Sequence, residues 1–224
     1  MNSFGENAVV WKSAAKAVQD IRNIFCVGRN YRDHAIELGN DVPKRPLIFG
    51  KSTHALALAK DTVILPKGRS NIHHEIEIVL YMGASYRKGM SAGELVKAIA
   101  LGLDLTDRDI QNELKDARHP WELAKGFLGS AVVTDFYEID DVNQLTNSTF
   151  SLELDGKNVQ IGSPSQMIFD FQTLIDYVGK NFGISADDIL YTGTPKGVGP
   201  LSNGQVARML MDGQEWGKFE IQMS

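Results

Sequence analysis

The chain has 224 residues, 43% hydrophobic and 23% charged, enough to bury a sizeable core in one globular unit. Net charge is -5 with acids and bases interspersed, so no basic surface for nucleic acid is offered, and no apolar run approaches a membrane span. Met1 to Lys12 lacks an apolar core of signal-peptide length, and the single cysteine, Cys26, lies in the apolar run Ile24-Phe25-Cys26-Val27. A cytoplasmic location, no disulfide framework and a small buried hydrophobe at Cys26 are therefore expected.

In chain order, Ala8–Trp11 reads as a strand and Ala14–Ile21 as a turn or short helix, both too weakly patterned to rest function on. Ile24–Val27 reads as a short buried strand, and Gly28 frees the backbone to turn into a helix-like segment, Arg29 to Gly39. In a helix His34 and Glu37 are i and i+3 neighbours. They form either an exposed ion pair or a general base, the carboxylate fixing the imidazole tautomer. Pro43 and Pro46 break the chain before the strand Leu47–Ser52, which ends in the cation Lys51. Residues 61–68 lead into Asn71–Met82, a predicted strand in which Glu75, Glu77, Val79 and Tyr81 share one side. The opposite side is wholly apolar, and the glutamates' side turns apolar within two residues. The two acids stand either on a solvated face or at the mouth of a covered region, where they need a hard divalent cation to offset their repulsion.

Ser91 with Glu94 forms a capping box that predicts a helix through about Ala100, followed by a buried strand Leu101–Leu105 interrupted by Asp104. A buried aspartate needs a metal, a base or backbone donors. Thr106 with Asp109 predicts a second helix, to about Ala117, whose Arg108 and Gln111 face either a ligand or solvent. Lys125, between small and apolar residues, is a ligand's counter-ion or a snorkelling surface lysine. Phe150–Leu154 and Val159–Ile161 flank an Asp155-Gly156 hairpin turn, Phe169–Phe182 reads as a helix, and Ile189–Tyr191 as a strand entering the glycine loop Thr192–Pro200. This loop lacks the Gly-Lys-Ser/Thr ending of a phosphate loop, so nucleotide binding is rejected, but its amides can approach an anion closely. Asp212-Gly213 predicts a last hairpin.

Taken in order, Gly28-Arg29-Asn30-Tyr31-Arg32-Asp33-His34, His73-His74-Glu75-Ile76-Glu77, Leu103-Asp104-Leu105-Thr106-Asp107-Arg108-Asp109, Trp121-Glu122-Leu123-Ala124-Lys125-Gly126-Phe127 and Tyr191-Thr192-Gly193-Thr194-Pro195-Lys196-Gly197-Val198-Gly199 resemble the blocks of the fumarylacetoacetate hydrolase family. The similarity is to its short single-domain members of the acylpyruvase type. It implies an α+β, mostly β fold, a mixed β-roll with a few short flanking helices, in one domain over 1–224 with 1–23 as an extension packed on it. It also implies a homodimer. Glu75, Glu77 and Asp104 match the family's metal ligands, for magnesium or manganese, and an all-carboxylate set without cysteine independently suits such hard ions. His34 and Glu37 match the catalytic dyad on a lid segment, and Lys125 a lysine beside metal and substrate. Arg29, Tyr31, Lys51, Arg108, Gln111, Gly193 and Thr194 correspond to substrate-contacting positions. Two stretches depart from the pattern, Gly50-Lys51-Ser52-Thr53 and Gly126–Ala131, the latter lacking a proline. The activity implied is hydrolysis of a carbon-carbon bond in an acylpyruvate-type 2,4-dioxo acid. Oxaloacetate decarboxylation, or isomerisation or tautomerisation of an unsaturated 2-oxo acid, are the alternatives on the same site.

Overall fold

A computed structural model describes residues 11–14, 18–37 and 42–224. The strands are β1 (Ile24–Gly28), β2 (Leu47–Lys51), β3 (Leu56–Leu58), β4 (Lys60–Leu65), β5 (Ile72–His74), β6 (Ile76–Met82), β7 (Val96–Asp104), β8 (Thr106–Asp107), β9 (Ala131–Val133), β10 (Tyr137–Glu138), β11 (Phe150–Leu154), β12 (Lys157–Gly162), β13 (Ile189–Tyr191), β14 (Gly199–Pro200), β15 (Val206–Met211) and β16 (Gln214–Met223). The helices are short: α1 (Arg32–Glu37), α2 (Ala92–Leu95), α3 (Arg108–Asp116), α4 (Glu122–Lys125) and α5 (Phe171–Asn181). The fold is therefore α+β and mostly β.

An eight-stranded sheet runs β2-β1-β13-β6-β7-β9-β3, with β10 also on β7. Its pairs are mixed: β1 with β13 and β3 with β9 are parallel, while β6 pairs antiparallel with both β13 and β7. The alternation read from Asn71–Met82 separates two cores. Ile76, Ile78, Leu80 and Met82 enter a large cluster that includes Leu174 and Val178 of α5. Val79 and Tyr81 enter a second cluster with Cys26, Ala98, Ala100, Val133 and Tyr191, the inner face of the roll. All seven residues of β6 are buried, so the solvated-face alternative is excluded. Burying each of its large apolar side chains contributes about 1.5–3 kcal/mol. The inner face is filled tightly: a Cβ on Gly102 would meet Tyr191 at 2.5 Å and Val79 at 2.7 Å. Cys26 lies in this interior as a free, fully buried thiol, and burial pushes it well above the ordinary thiol value.

A five-stranded sheet, β12-β11-β15-β16-β4, and a three-stranded one, β14-β5-β8, complete the roll. The two hairpin turns lie where Asp-Gly predicts them. Asp155 and Gly156 have φ of 49° and 75°, Asp212 and Gly213 of 48° and 78°, the positive pair that a two-residue turn needs.

Three predicted elements differ. The Ser91 capping box forms, Glu94 accepting from the Ser91 amide at 2.7 Å, but the helix makes one turn and Val96 already enters β7. The β-branched and small residues from Val96 to Ala100 pair with β6, and that ladder outweighs the local helix signal. The second helix is capped by Asp107, whose carboxylate accepts from the Ile110 amide at 3.2 Å, rather than by Thr106, which pairs with His73. The strand Asn71–Met82 breaks at Glu75, where the chain passes from the three-stranded to the eight-stranded sheet. Of the predicted N-terminal strand only Trp11 is described, packing edge-on to Trp216 at 4.9 Å; residues 8–10 lie outside the described residues. Within 14–21, residues 15–17 lie outside them too, and Val18–Asp20 is a 3-10 turn. The predicted Arg29–Gly39 helix is described as Arg32–Glu37, its end at Gly39 falling outside. Among the described residues no helix is long and apolar enough to cross a membrane.

Candidate active site

The antiparallel pairing of β6 with β7 sets Ile76 opposite Leu103, and the Asp104 amide donates to the Glu75 carbonyl at 2.9 Å. Glu75, Glu77 and Asp104 therefore converge at one end of the roll. They offer three carboxylate oxygens within 4.8 Å of one another, on residues that are all buried.

Three cations hold Glu75 and Asp104. Lys125, ending α4, donates to Glu75 at 2.8 Å and to Asp104 at 2.6 Å. Arg108, opening α3, donates through Nη2 to Glu75 at 2.6 Å and through Nη1 to Gln111 at 2.7 Å. Lys51 reaches Asp104 Oδ1 at 2.8 Å, but its ammonium is spent on the carbonyls of Leu105 (3.2 Å), Ser130 (3.1 Å) and Lys125, and on Ser130 Oγ (3.2 Å). Asp104 Oδ1 is consequently buried without a hydrogen bond.

The three acids are not equivalent. Burial pushes the Glu75 carboxyl up, but the Lys125 ammonium and Arg108 guanidinium together outweigh it and hold it well below the usual range. Burial also pushes Glu77 up, and the neighbouring Asp104 and Glu75 charges push it further. Against this Glu77 has the Gly193 amide, which donates to Oε2 at 2.7 Å, and the more distant Lys125. Burial lowers Lys125, yet Asp104 and Glu75 raise it above the ordinary lysine value, so it stays charged. A like-charged buried pair, and an Asp104 oxygen that has an ammonium neighbour but no hydrogen bond, are what a hard divalent cation would satisfy. These three acids fit Mg2+ or Mn2+.

Facing the triad, α1 carries His34 and Glu37. His34 is 4% exposed; its Nδ1 lies 3.5 Å from Glu37 Oε2, too poorly placed for a hydrogen bond. Burial lowers the His34 imidazole below its ordinary value, against the pull of the Glu75 and Glu37 carboxylates. Glu37 is pinned in turn: the Gly197 amide donates to both its oxygens at 3.1 Å, while Lys196 pairs with Asp33 at 3.1 Å. The helix is thus fastened to the glycine loop.

Arg29, His34, Glu75, Arg108, Gln111 and Lys125 border one cavity of about 30 Å³. That is room for one or two waters, so admitting a substrate requires side chains or α1 to move. Other predicted residues stand elsewhere. Lys51 is enclosed behind Asp104. Tyr31 packs edge-on to Phe150 at 6.3 Å and borders a separate groove with Arg32 and Met167. Gly193 serves Glu77, and Thr194 is buried, accepting from Gln160 at 2.9 Å.

Sequence reading missed three contributors. Gln160 accepts from the Ile76 amide at 3.1 Å, meets His74 Nδ1 at 2.9 Å and donates to the Pro195 carbonyl at 2.9 Å, tying β12, β6 and the glycine loop together. No local signal marks it. Asn30 donates to the Thr192 and Phe169 carbonyls at 2.8 and 3.0 Å, fixing the entry to α1. Lys115 borders the cavity, and its spacing from Arg108 and Gln111 was legible.

The sequence pattern of the family described as Fumarylacetoacetate (FAA) hydrolase C-terminal matches residues 23–221. The chain belongs to the fumarylacetoacetate hydrolase family. It is 35% identical over 201 residues to the oxaloacetate tautomerase fahd-1, mitochondrial, of Caenorhabditis elegans, covering 89% of this chain and 94% of that one. It is 37% identical over 193 residues to the mitochondrial oxaloacetate decarboxylase of Dictyostelium discoideum, covering 84% and 87%. Its structure matches that of fumarylpyruvate hydrolase from Pseudomonas aeruginosa in complex with Mn2+ and pyruvate, with a TM-score of 0.86, 29% identity and full coverage of both chains.

Proposed function

We propose that this family member is a divalent-metal-dependent enzyme that interconverts the keto and enol forms of oxaloacetate. The observation that carries this is a buried imidazole that shares one small cavity with Glu75 of the acidic triad, the other polar residues of the wall being the cations Arg29, Arg108, Lys115 and Lys125 and the amide Gln111. Such a cavity suits an anionic oxo acid whose C3 proton must be moved. Relatives named for oxaloacetate at 35 and 37% identity support the substrate.

Glu75, Glu77 and Asp104 would hold the ion, which when bound supplies Lewis-acid polarisation of the 2-oxo group. The chain's own residues account for the rest. His34, with Nδ1 towards Glu37, presents Nε2 to the substrate and takes the proton from C3, a contribution of typically about 10² to 10⁴ in rate. Glu37 orients the ring and stabilises its protonated form, and the imidazolium returns the proton to carbon or to oxygen. Lys125 keeps its proton, so it acts on developing negative charge electrostatically. Gln111, held by Arg108, offers its amide NH2 group as a donor to a substrate carboxylate.

Acylpyruvate hydrolysis, the activity that the resemblance puts first, is the second reading, and the fumarylpyruvate hydrolase match favours it. There His34 would deprotonate a water attacking the distal carbonyl. The test follows enol decay of oxaloacetate, release of carbon dioxide and cleavage of acetylpyruvate, using protein with added Mg2+ or Mn2+. Faster tautomerisation that collapses in His34→Ala is the expected result. Acetate from acetylpyruvate without accelerated tautomerisation moves the activity to hydrolysis, and carbon dioxide release alone moves it to decarboxylation.

A further inference from the structure

Two cations in the cavity wall, Lys115 and Arg29, have no carboxylate partner among the described residues. On α3, Arg108, Gln111 and Lys115 fall at i, i+3 and i+7, one face of the helix, and all three border the cavity. Arg108 is engaged by Glu75 and Gln111, and Lys125 by Glu75 and Asp104. The Lys115 ammonium forms no hydrogen bond or ion pair among the described residues; it lies 5.8 Å from the centre of the Trp121 ring, which also lines the cavity. Arg29, at the same wall, is likewise without a carboxylate and is held there by a left-handed backbone, φ 59°. Such a conformation costs a non-glycine residue on the order of 1 kcal/mol or more and persists where its surroundings demand it.

A half-buried ammonium beside an unpaired guanidinium is a repulsive, partly desolvated arrangement that an anion relieves. The triad end of the cavity is committed to the 2-oxo carboxylate in the reading above, on which this inference rests. Seven residues of helix place Lys115 about 10 Å along the axis from Arg108, away from that end, and its flexible stem can reach back over the intervening space. We propose that Lys115, with Arg29, receives a second carboxylate, so that the site takes short dicarboxylic 2-oxo acids in preference to monocarboxylic ones. Lys115 is then a specificity-determining residue: it touches the far end of the substrate and moves no proton.

The experiment is calorimetric titration of the full-length, Mg2+-loaded protein with malate and with 2-hydroxybutanoate. These inert hydroxy acids share the 2-hydroxy carboxylate, and only malate has a distal carboxylate. The wild-type protein binds malate more tightly, and Lys115→Met weakens malate by about tenfold to a hundredfold, the range for a lost charge-assisted hydrogen bond. Binding of 2-hydroxybutanoate stays within twofold, and Lys115→Arg keeps most of the preference. Equal weakening of both ligands in Lys115→Met, which would mark a packing role beside Trp121, overturns the proposal. So does unchanged malate binding, or a wild-type protein without preference for malate. Because these ligands do not react, the contrast decides the receptor separately from the activity. Failure to tautomerise oxaloacetate removes the reaction assigned above and leaves the dicarboxylate preference to stand or fall on binding.

Discussion

Replacing Lys51 by Met separates a structural cation from a substrate contact. The methionine keeps the apolar stem and removes the ammonium, and the surroundings show which groups then lose their partner. The Lys125 carbonyl still accepts from Ser130 Oγ at 2.7 Å, and the Ser130 carbonyl still accepts from the Leu105 amide at 2.9 Å. The Leu105 carbonyl loses its donor, and Asp104 Oδ1 loses the ammonium that pairs with it at 2.8 Å. One neutral and one charged buried group without partners cost about 3–5 kcal/mol together. For a chain of this size that lowers Tm by about 6–20 °C. Urea and thermal unfolding at pH 7 in chelator measure it, with the m-value checked for constancy. A loss below about 1 kcal/mol, with substrate KM raised instead, would refute the enclosed, structural role.

Glu77→Gln carries the opposite sign in metal-free protein. The raised Glu77 carboxyl costs stability once pH rises above the ordinary carboxylate range of about 4.5, so the amide should be neutral or stabilising by about 1 kcal/mol in chelator. The same change should weaken Mg2+ or Mn2+ binding by about a hundredfold in dye competition; a lower Tm in chelator contradicts the repulsion. His34→Ala and Glu37→Gln should lower kcat by about 10² to 10⁴, while metal affinity stays within twofold. Because the buried His34 imidazole lies below its ordinary value, it remains the neutral base at pH 6.5. The acid limb of kcat/KM therefore falls only below that pH, and a bound cation moves it further down. The imidazole's contribution to stability is likewise full above pH 6.5 and lost as pH falls through the folded-state value, which pH titration of Tm against His34→Ala reads out. Gln160→Leu should cost on the order of 3 kcal/mol by stranding His74, Thr194 and the Pro195 carbonyl, with KM rising as the glycine loop loosens.

The framework was legible where periodicity and turn chemistry agree. Alternation along Ile76–Met82 gave both faces of the central strand, and the Asp-Gly pairs gave both hairpins, because each signal is local. Asp104 was readable for the same reason, as a charge interrupting an apolar strand. The Ser91 capping box misled because the contest was settled by β6, a partner lying outside any local window. The break at Glu75 depends on the chain passing between two sheets, and the enclosure of Lys51 on partners 53 to 79 residues further along, which no spacing encodes. Gln160 is the clearest case: an ordinary residue of a hairpin becomes a hub only because β12 folds over the glycine loop.

The loop from Gly193 to Gly197 behaves as a gauge block. Its first glycine grips Glu77 and its last grips Glu37, with Pro195 between them stiffening the span. The separation of the His34/Glu37 helix from Glu77 is thereby referred to one short stretch of backbone rather than summed through the sheets that carry each residue. Tolerances elsewhere in the roll can drift without detuning the pair. A single residue inserted in that stretch would shift one grip against the other by up to about 3.3 Å, producing a folded, metal-competent protein whose base no longer meets its target.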